Sequence, residues 1–144
     1  MGVIRRVLAY LLLLSVYGFT WVVAAVGAMV PRWHWKPTGR ILVTGTFFNP
    51  NWYLSHVTPL VHSGLKEVIL VVDEPQIPLE GVTFVCWPRW VSRVLSRPGA
   101  RAVWVTLAGL RYRPDLYMGY HLGPGACRAL IAGKLLGRPT CYQM

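Results

Sequence analysis

The stretch RILVTGTFFNPNWYLSH, residues 40–56, decides the fold that we expect for this chain. Its apolar run Ile41, Leu42 and Val43 has no polar alternation, which favours a parallel strand buried on both faces. The run ends near Gly45 and leads into a polar and aromatic loop, residues 46–52. Open α/β sheets bind ligands beyond the carboxyl ends of their strands, so this loop is a candidate binding segment.

Further strand-like and helix-like segments alternate after this stretch. The strand-like segments are residues 67–72, 82–86, 116–120 and 140–143, and segments of helical period lie at 52–63, 90–97, 100–112 and 124–136. Pro98 and Gly99 predict a break between the second and third helices. The alternation predicts right-handed βαβ units, and therefore an α/β fold with about five parallel strands in the order 3-2-1-4-5.

An uncharged run of 24 residues, 7–30, precedes this α/β region. As a helix it would be about 36 Å long, enough to span a hydrocarbon core of roughly 30 Å. The run follows a basic flank, residues 1–6, and leads into a linker rich in proline and glycine, residues 31–39. A cleaved signal peptide and a hairpin that dips into one leaflet are the alternatives. The length of the run favours an uncleaved transmembrane helix.

The composition restricts the classes of partner. Hydrophobic residues make up 54% of the chain and charged residues 14%, with a net charge of +10, so a disordered tail is excluded. A positive excess fits nucleic acid or anionic lipid. The chain has no RNP-type, zinc-finger or helix-turn-helix signature, and its apolar excess favours lipid. We therefore expect a membrane partner and no nucleic acid, and the three cysteines, which lack CxxC spacing, predict no metal site.

Five polar residues are expected near the point where the strand order reverses, between the first and fourth strands. Asparagine and histidine side chains there can bind hydroxyls or diphosphate oxygens. A purely structural interpretation remains open: Asn49 makes a turn with Pro50, and His56 caps or lines a helix. No GxGxxG, Walker A, HExxH or GxSxG sequence is present, so we predict no cofactor, and the motifs identify no catalytic residue. The candidate substrate-binding residues are Thr46, Asn49, Asn51, His56 and His121.

Arginine recurs every four residues at positions 89, 93, 97 and 101. Up to Arg97 this spacing makes a basic ridge beside an apolar one on a single helix. A basic amphipathic helix that carries tryptophan is typical of a membrane surface, so Arg89, Trp90, Arg93 and Arg97 are candidate membrane-surface residues. The alternative is a solvated arginine face on a helix that packs against the sheet. Arg101 falls beyond the expected break at Pro98 and Gly99.

Three segments together resemble the amino-terminal half of family-4 glycosyltransferases of the GT-B fold. They are GRILVTGTFF, SGLKEVILVV and RPDLYMGYHLGPGACRALIAGKLLGRPTCYQM. In the last segment Asp115, the Pro124-Gly125 pair and the GRP of residues 137–139 match the pattern of the family. The resemblance covers residues 40–144 and implies an incomplete Rossmann-like domain that acts on a lipid-linked or membrane-proximal acceptor.

The sequence departs from the family pattern at three places. Phe48-Asn49-Pro50-Asn51 replaces a double glycine. Met118 and Tyr120 occupy the His-x-His positions, with His121 one residue later. The catalytic histidine that often follows the fifth strand in the family would come directly after Met144. The donor-binding carboxy-terminal domain of the family would follow Met144. The resemblance therefore implies an acceptor-side portion that binds a nucleotide-sugar only with a further domain or a partner subunit. The alternative is a non-catalytic, single-pass membrane scaffold that recruits a protein partner. The odd number of cysteines favours a reducing compartment, so the domain is expected in the cytoplasm, while basic residues at both ends of residues 7–30 leave the orientation of the helix open.

Overall fold

A computed structural model of the chain describes residues 36–47, 49–120 and 124–143, together with isolated residues between Ile4 and Met29. The described ranges form five strands and three helices. In chain order they are β1 (Arg40–Thr44), α1 (Pro50–Val61), β2 (Glu67–Val71), β3 (Val82–Val85), α2 (Arg89–Tyr112), β4 (Leu116–Tyr120), α3 (Pro124–Leu135) and β5 (Thr140–Gln143). Among these elements, β3 is the one strand that follows another without a helix between them.

The strands form one parallel sheet in the order β3-β2-β1-β4-β5. β1 lies in the centre, where Leu42 is in register with Ile69 of β2 and Tyr117 of β4. The central strands have continuous apolar sequences because helices cover both faces of the sheet. The prediction of a Rossmann-like α/β sheet with this strand order is confirmed.

Alternate residues of each strand contribute to two hydrophobic layers. Leu42, Ile69 and Tyr117 face α2 and α3. Their neighbours Ile41 and Val43 face the opposite way, toward α1. This division follows from the two-residue period of a strand.

Helix α2 is one continuous helix of 24 residues, so the predicted break at Pro98 and Gly99 is wrong. An interior proline costs a helix about 3 kcal/mol and a glycine about 1 kcal/mol. Packing on both sides of the pair offsets that cost. Val91 before it and Val105 after it are both buried against the same face of the sheet.

The predicted transmembrane helix, residues 7–30, falls largely outside the described residues. Those that are described between Ile4 and Met29 are helical. Their large apolar side chains are each more than half exposed: Ile4, Val7, Leu8, Tyr10, Leu11, Leu14, Val22, Val26 and Met29. Within the described part of the chain, no helix combines the length and apolar character needed to cross a membrane.

Asp115 fixes the linker to the amino ends of the strands. Its Oδ2 accepts hydrogen bonds from the backbone N–H groups of Thr38 at 2.8 Å and Gly39 at 2.7 Å. The Arg40 guanidinium donates to the Tyr112 carbonyl oxygen at 3.2 Å, at the end of α2. The linker, the start of β1 and the end of α2 therefore meet at the amino edge of the sheet.

Candidate functional site

A cleft of about 640 Å³ opens at the opposite, carboxyl edge of the sheet. Its walls come from the loops after β1 and β2, the segment after β3 and the first half of α2. This is the edge at which open α/β sheets bind ligands. The lining residues are Gly45, Thr46, Phe47, Val72, Asp73, Glu74, Gln76, Trp87, Arg89, Ser92, Arg93, Arg97 and Arg101.

Arg101 of α2 joins the walls of the cleft. Its guanidinium donates to Thr46 Oγ1 at 2.8 Å and to the carboxylate of Asp73. It also lies 5.8 Å from the centroid of the Trp87 ring, within the range of a cation–π interaction. The side chain of Arg101 is 6% exposed, and Nε has no hydrogen-bond partner among the described atoms. Buried guanidinium groups persist in proteins when they are paired in this way.

Trp87 supplies a buried aromatic wall at the start of α2. Its indole Nε1 donates to Ser92 Oγ at 2.6 Å, which fixes the orientation of the ring. The rest of the ring packs with the layer that faces α2 and α3. The cleft therefore has an apolar flat surface beside its charged groups, an arrangement that is common in ligand sites.

The remaining arginines of the cleft are exposed. Arg89 lies 3.4 Å from Glu74, but both side chains are largely exposed, so this ion pair contributes little to stability. Among the described residues, Arg93 and Arg97 have no carboxylate at ion-pair distance. Four arginines and two carboxylates line the cleft, so its walls carry two positive charges in excess.

A further guanidinium is buried near these groups. Arg128 of α3 is 8% exposed. Burial is the main cause that lowers its pKa, to about 10, and the charge of Arg101 lowers it further while Asp73 acts in the opposite direction. A lowered arginine pKa means that its positive charge is unfavourable where it lies. Asp73 forms an ion pair with Arg101, and its charge also favours the charged form of the nearby Arg128.

The structure separates the five predicted substrate-binding residues. Thr46 lines the cleft. Asn49 is the N-cap of α1, where its Oδ1 accepts from the Asn51 N–H at 2.9 Å, and Asn51 is exposed in the first turn. His56 is half-buried on the sheet side of α1 and does not line the cleft. His121 lies outside the described residues.

His56 belongs to an aromatic cluster between α1 and β4. Its Nδ1 lies 2.8 Å from the Trp52 carbonyl oxygen, and its ring packs edge-on against Tyr120 at 5.0 Å. The Tyr120 hydroxyl donates to the His56 carbonyl oxygen at 3.1 Å. Burial, with a smaller contribution from Cys141, raises the pKa of Tyr120 to about 12. These contacts hold α1 against the sheet.

The candidate membrane-surface residues divide between two surfaces of α2. Arg89, Arg93 and Arg97 line the cleft, whereas Trp90 and Val94 do not and are strongly exposed. The i to i+4 spacing of each set explains the division, because residues four apart share one face of a helix.

Sequence reasoning missed Asp73, Glu74, Trp87 and Arg101 as residues of the site. The four-residue spacing of the arginines pointed to Arg101, but only an unbroken α2 places it in the cleft. Asp73 and Glu74 follow β2 after a single residue, Val72, and their position just beyond a buried strand was the signal for them.

The described residues contain no group of three or more histidine, cysteine or acidic side chains that could hold a metal ion. The sequence was also compared with protein-family models, curated proteins and solved structures. None of the three comparisons finds a match to this chain.

Proposed function

We propose that this chain is the acceptor-side portion of a membrane-associated glycosyltransferase. The sugar would come from a nucleotide-sugar held by a domain or subunit beyond residues 1–144, and the acceptor would be lipid-linked or membrane-proximal. The observation that carries the proposal is the cleft at the carboxyl edge of the Rossmann-like sheet. Its volume of about 640 Å³ is within the range of small-ligand sites.

Exposed apolar side chains support the membrane part of the proposal. The described residues between Ile4 and Met29 expose large apolar side chains, in keeping with a single transmembrane helix at residues 7–30. The Ser15 hydroxyl donates to the Leu11 carbonyl oxygen at 2.7 Å, a bond that satisfies the hydroxyl without water. Helix α2 adds further exposed apolar side chains, which are Trp90 and Val94 on one side and Leu95, Val103, Leu107 and Leu110 elsewhere around the helix.

The direction of α2 relates the linker to the cleft. Arg89, at the start of α2, lies at the cleft, while Tyr112, at its end, contacts Arg40 beside the linker. A domain that rests with α2 along the membrane therefore brings both edges of the sheet close to the headgroups. In this orientation the cleft faces lipid-linked acceptors, and the domain lies on the cytoplasmic side.

A second candidate function is a membrane-anchored scaffold that recruits a protein partner. Among the described residues no strand pairs with the outer edge of β5, where Cys141, Tyr142 and Gln143 are exposed. An open edge strand presents free backbone groups to another chain. This candidate uses β5 and leaves the cleft without a role.

Reconstitution tests whether the chain takes part in sugar transfer. The full chain is placed in vesicles that contain a polyprenyl phosphate, and radiolabelled nucleotide-sugars are added with a soluble extract as the source of the donor-binding component. We expect label in the lipid phase only when both the chain and the extract are present. Absence of any chain-dependent label would contradict the transferase proposal.

Two variants with the same added side chain test the cleft. Gln76→Trp places an indole in the cleft, whereas Ile77→Trp adds it at the neighbouring, exposed position outside the cleft. We expect Gln76→Trp to abolish chain-dependent transfer and Ile77→Trp to preserve it. The scaffold candidate predicts a different result, in which neither variant affects transfer and Tyr142→Lys on β5 abolishes it.

A further inference from the structure

We infer that Arg93, Arg97 and Arg101 form a binding site for a phosphate group of the ligand in the cleft. The inference deepens the proposed function and rests on it for the identity of the cleft as the ligand site. It assigns these arginines to a ligand, whereas their spacing in the sequence indicated the membrane surface.

The charge of the cleft is the first argument. Neither Arg93 nor Arg97 has a described carboxylate at ion-pair distance, although both line a concave surface. Behind them, Arg101 is paired with Asp73, and a second buried guanidinium, that of Arg128, lies near enough for the charges of both to act on it. Positive charge that is gathered in a cleft with low-dielectric walls attracts anions more strongly than the same charge on a convex surface.

The fixed position of Arg101 is the second argument. Thr46, Asp73 and Trp87 hold its guanidinium from three directions. A side chain that is already ordered loses little conformational entropy when a ligand binds, so its charge is preorganised. Arg93 and Arg97 are exposed at the mouth of the cleft and can adjust to the ligand.

The type of anion follows from the number and spacing of the donors. Arg93 and Arg97 are one helical turn apart, about 6 Å along the axis, and Arg101 is one turn further. Guanidinium groups bind phosphate oxygens through paired hydrogen bonds, and three such groups supply more donors than one carboxylate can accept. The site therefore fits a phosphate or diphosphate group.

Two sources share this chemistry: a water-soluble nucleoside diphosphate and the diphosphate of a polyprenyl lipid. The open cleft lies beside two exposed apolar side chains of α2, Trp90 and Val94, and this favours the lipid source. The Trp87 ring, beside Arg101 in the lining of the cleft, is an apolar surface that either ligand can contact.

Calorimetric titration of the full chain in neutral-lipid nanodiscs with inorganic pyrophosphate tests the inference. The variants are Arg93→Gln and Arg97→Gln, and the matched control is Arg111→Gln. Arg111 lies on the same helix, is exposed and does not line the cleft, so its loss changes the net charge equally. All three sites are exposed, and melting temperatures are measured to verify that each variant is folded.

We expect each cleft variant to weaken pyrophosphate binding by about five- to tenfold, because a charge-assisted hydrogen bond is lost. The Arg111→Gln control should change the affinity by less than about twofold, since it alters only distant, screened charge. An equal loss in all three variants would identify non-specific attraction and overturn the inference. The absence of measurable pyrophosphate binding by the unaltered chain would overturn it as well.

Competition then identifies the source of the phosphate group. Uridine diphosphate in solution and a polyprenyl diphosphate in neutral vesicles are each tested for displacement of pyrophosphate. Displacement by either one supports the inference and names the source, and displacement by neither overturns it. These measurements involve no sugar transfer, so a chain that binds phosphate but takes no part in transfer would contradict only the proposed function.

Discussion

Gly109 of α2 lies directly against the hydroxyl group of Tyr117 in β4, with no space for a Cβ atom between them. A methyl group at Gly109 would also meet Leu136 Cδ1 at 2.7 Å. The Tyr117 side chain is fully buried, and its hydroxyl has no hydrogen-bond partner among the described atoms. Helix α2 can therefore approach the sheet this closely because Gly109 has no side chain. The same close contact leaves the Tyr117 hydroxyl without a described hydrogen-bond partner.

Replacement of Gly109 by alanine should destabilise the fold. Overpacking of a close contact costs about 1–3 kcal/mol, which exceeds the gain of about 1 kcal/mol in helix propensity. Tyr117→Phe should be close to neutral, because it removes a hydroxyl that makes no described bond. Combined with Gly109→Ala, it should recover part of the lost stability. Chemical denaturation of the four proteins measures the coupling, and strictly additive effects would contradict the contact.

Asp115→Ala should lower the free energy of unfolding by about 2–4 kcal/mol. The change removes the carboxylate oxygen that accepts two short hydrogen bonds, so the backbone N–H groups of Thr38 and Gly39 lose their acceptor. Asp115→Asn keeps an oxygen acceptor but not the charge, so an intermediate loss is expected. Glu80→Ala, at an exposed carboxylate in the turn before β3, is the control and should remain within about 0.5 kcal/mol. If denaturant unfolding shows that Glu80→Ala destabilises the protein as much as Asp115→Ala does, the role of Asp115 as the acceptor for the linker backbone is contradicted.

Arg113→Gly should be more stable than Arg113→Ala by about 1 kcal/mol. Arg113 caps α2 with φ 50° and ψ 56°, a left-handed conformation that glycine adopts without the steric cost of a Cβ atom. Both variants lose the contacts of the arginine side chain, so the difference between them reports the backbone alone. Thermal unfolding measures that difference, and equal melting temperatures would show that the cap is not strained.

Arg128→Met should stabilise the protein by about 2 kcal/mol at neutral pH. The guanidinium is charged at that pH, and burial and the nearby charge of Arg101 make this charged form unfavourable. The folded-state pKa is lowered to about 10, so the penalty is complete below that pH and is lost as the pH rises toward the unfolded-state value. The difference between the two proteins should therefore shrink above about pH 10.

Denaturant titrations of Arg128→Met at several pH values provide the measurement. The raised pKa values of Tyr117 and Tyr120 lower the stability of both proteins above about pH 10, and this common effect cancels in the difference. Lys134→Met removes an exposed charge from the same helix and serves as the control. A destabilised Arg128→Met protein at neutral pH would show that the charge is compensated.

The double substitution Leu14→Arg and Val22→Arg should allow a carbonate wash to release the full chain from membranes. Each charge near the centre of a membrane-spanning helix costs about 2.5–3.5 kcal/mol, so the pair opposes insertion strongly. The same substitution at Ile4, outside the uncharged run, should leave the chain in the pellet. Recovery of the unaltered chain in the soluble fraction would contradict a transmembrane helix at residues 7–30.

The sheet was predictable because its strands carry a local signal. Leu42, Val43, Ile69 and Leu70 belong to unbroken apolar runs, and a strand buried on both faces needs such a run. The right-handed rule for βαβ connections then limits the strand order to few choices. The observed order β3-β2-β1-β4-β5 is the predicted one.

The continuity of α2 was not predictable from local preferences. Pro98 and Gly99 are unfavourable within a helix, and the contacts that outweigh them come from residues distant in sequence. Arg101 shows this directly, because it reaches Thr46 and Asp73, which are 55 and 28 residues away. Only part of the cleft was identified from the sequence for the same reason: the loop after β1 was named, but the charged residues that meet it come from the loop after β2 and from α2.

The length of α2 has a mechanical consequence. A helix of 24 residues is a rod of about 36 Å, and this rod is held near the linker at one end and carries the arginines of the cleft at the other. A rod of that length that tilts by about 10° about the linker end moves its far end by about 6 Å. If the domain lies on a membrane as proposed above, the tilt of α2 about its linker end would set the height of the cleft above the headgroups. A small rotation at that end would then decide whether Arg93 and Arg97 reach a headgroup.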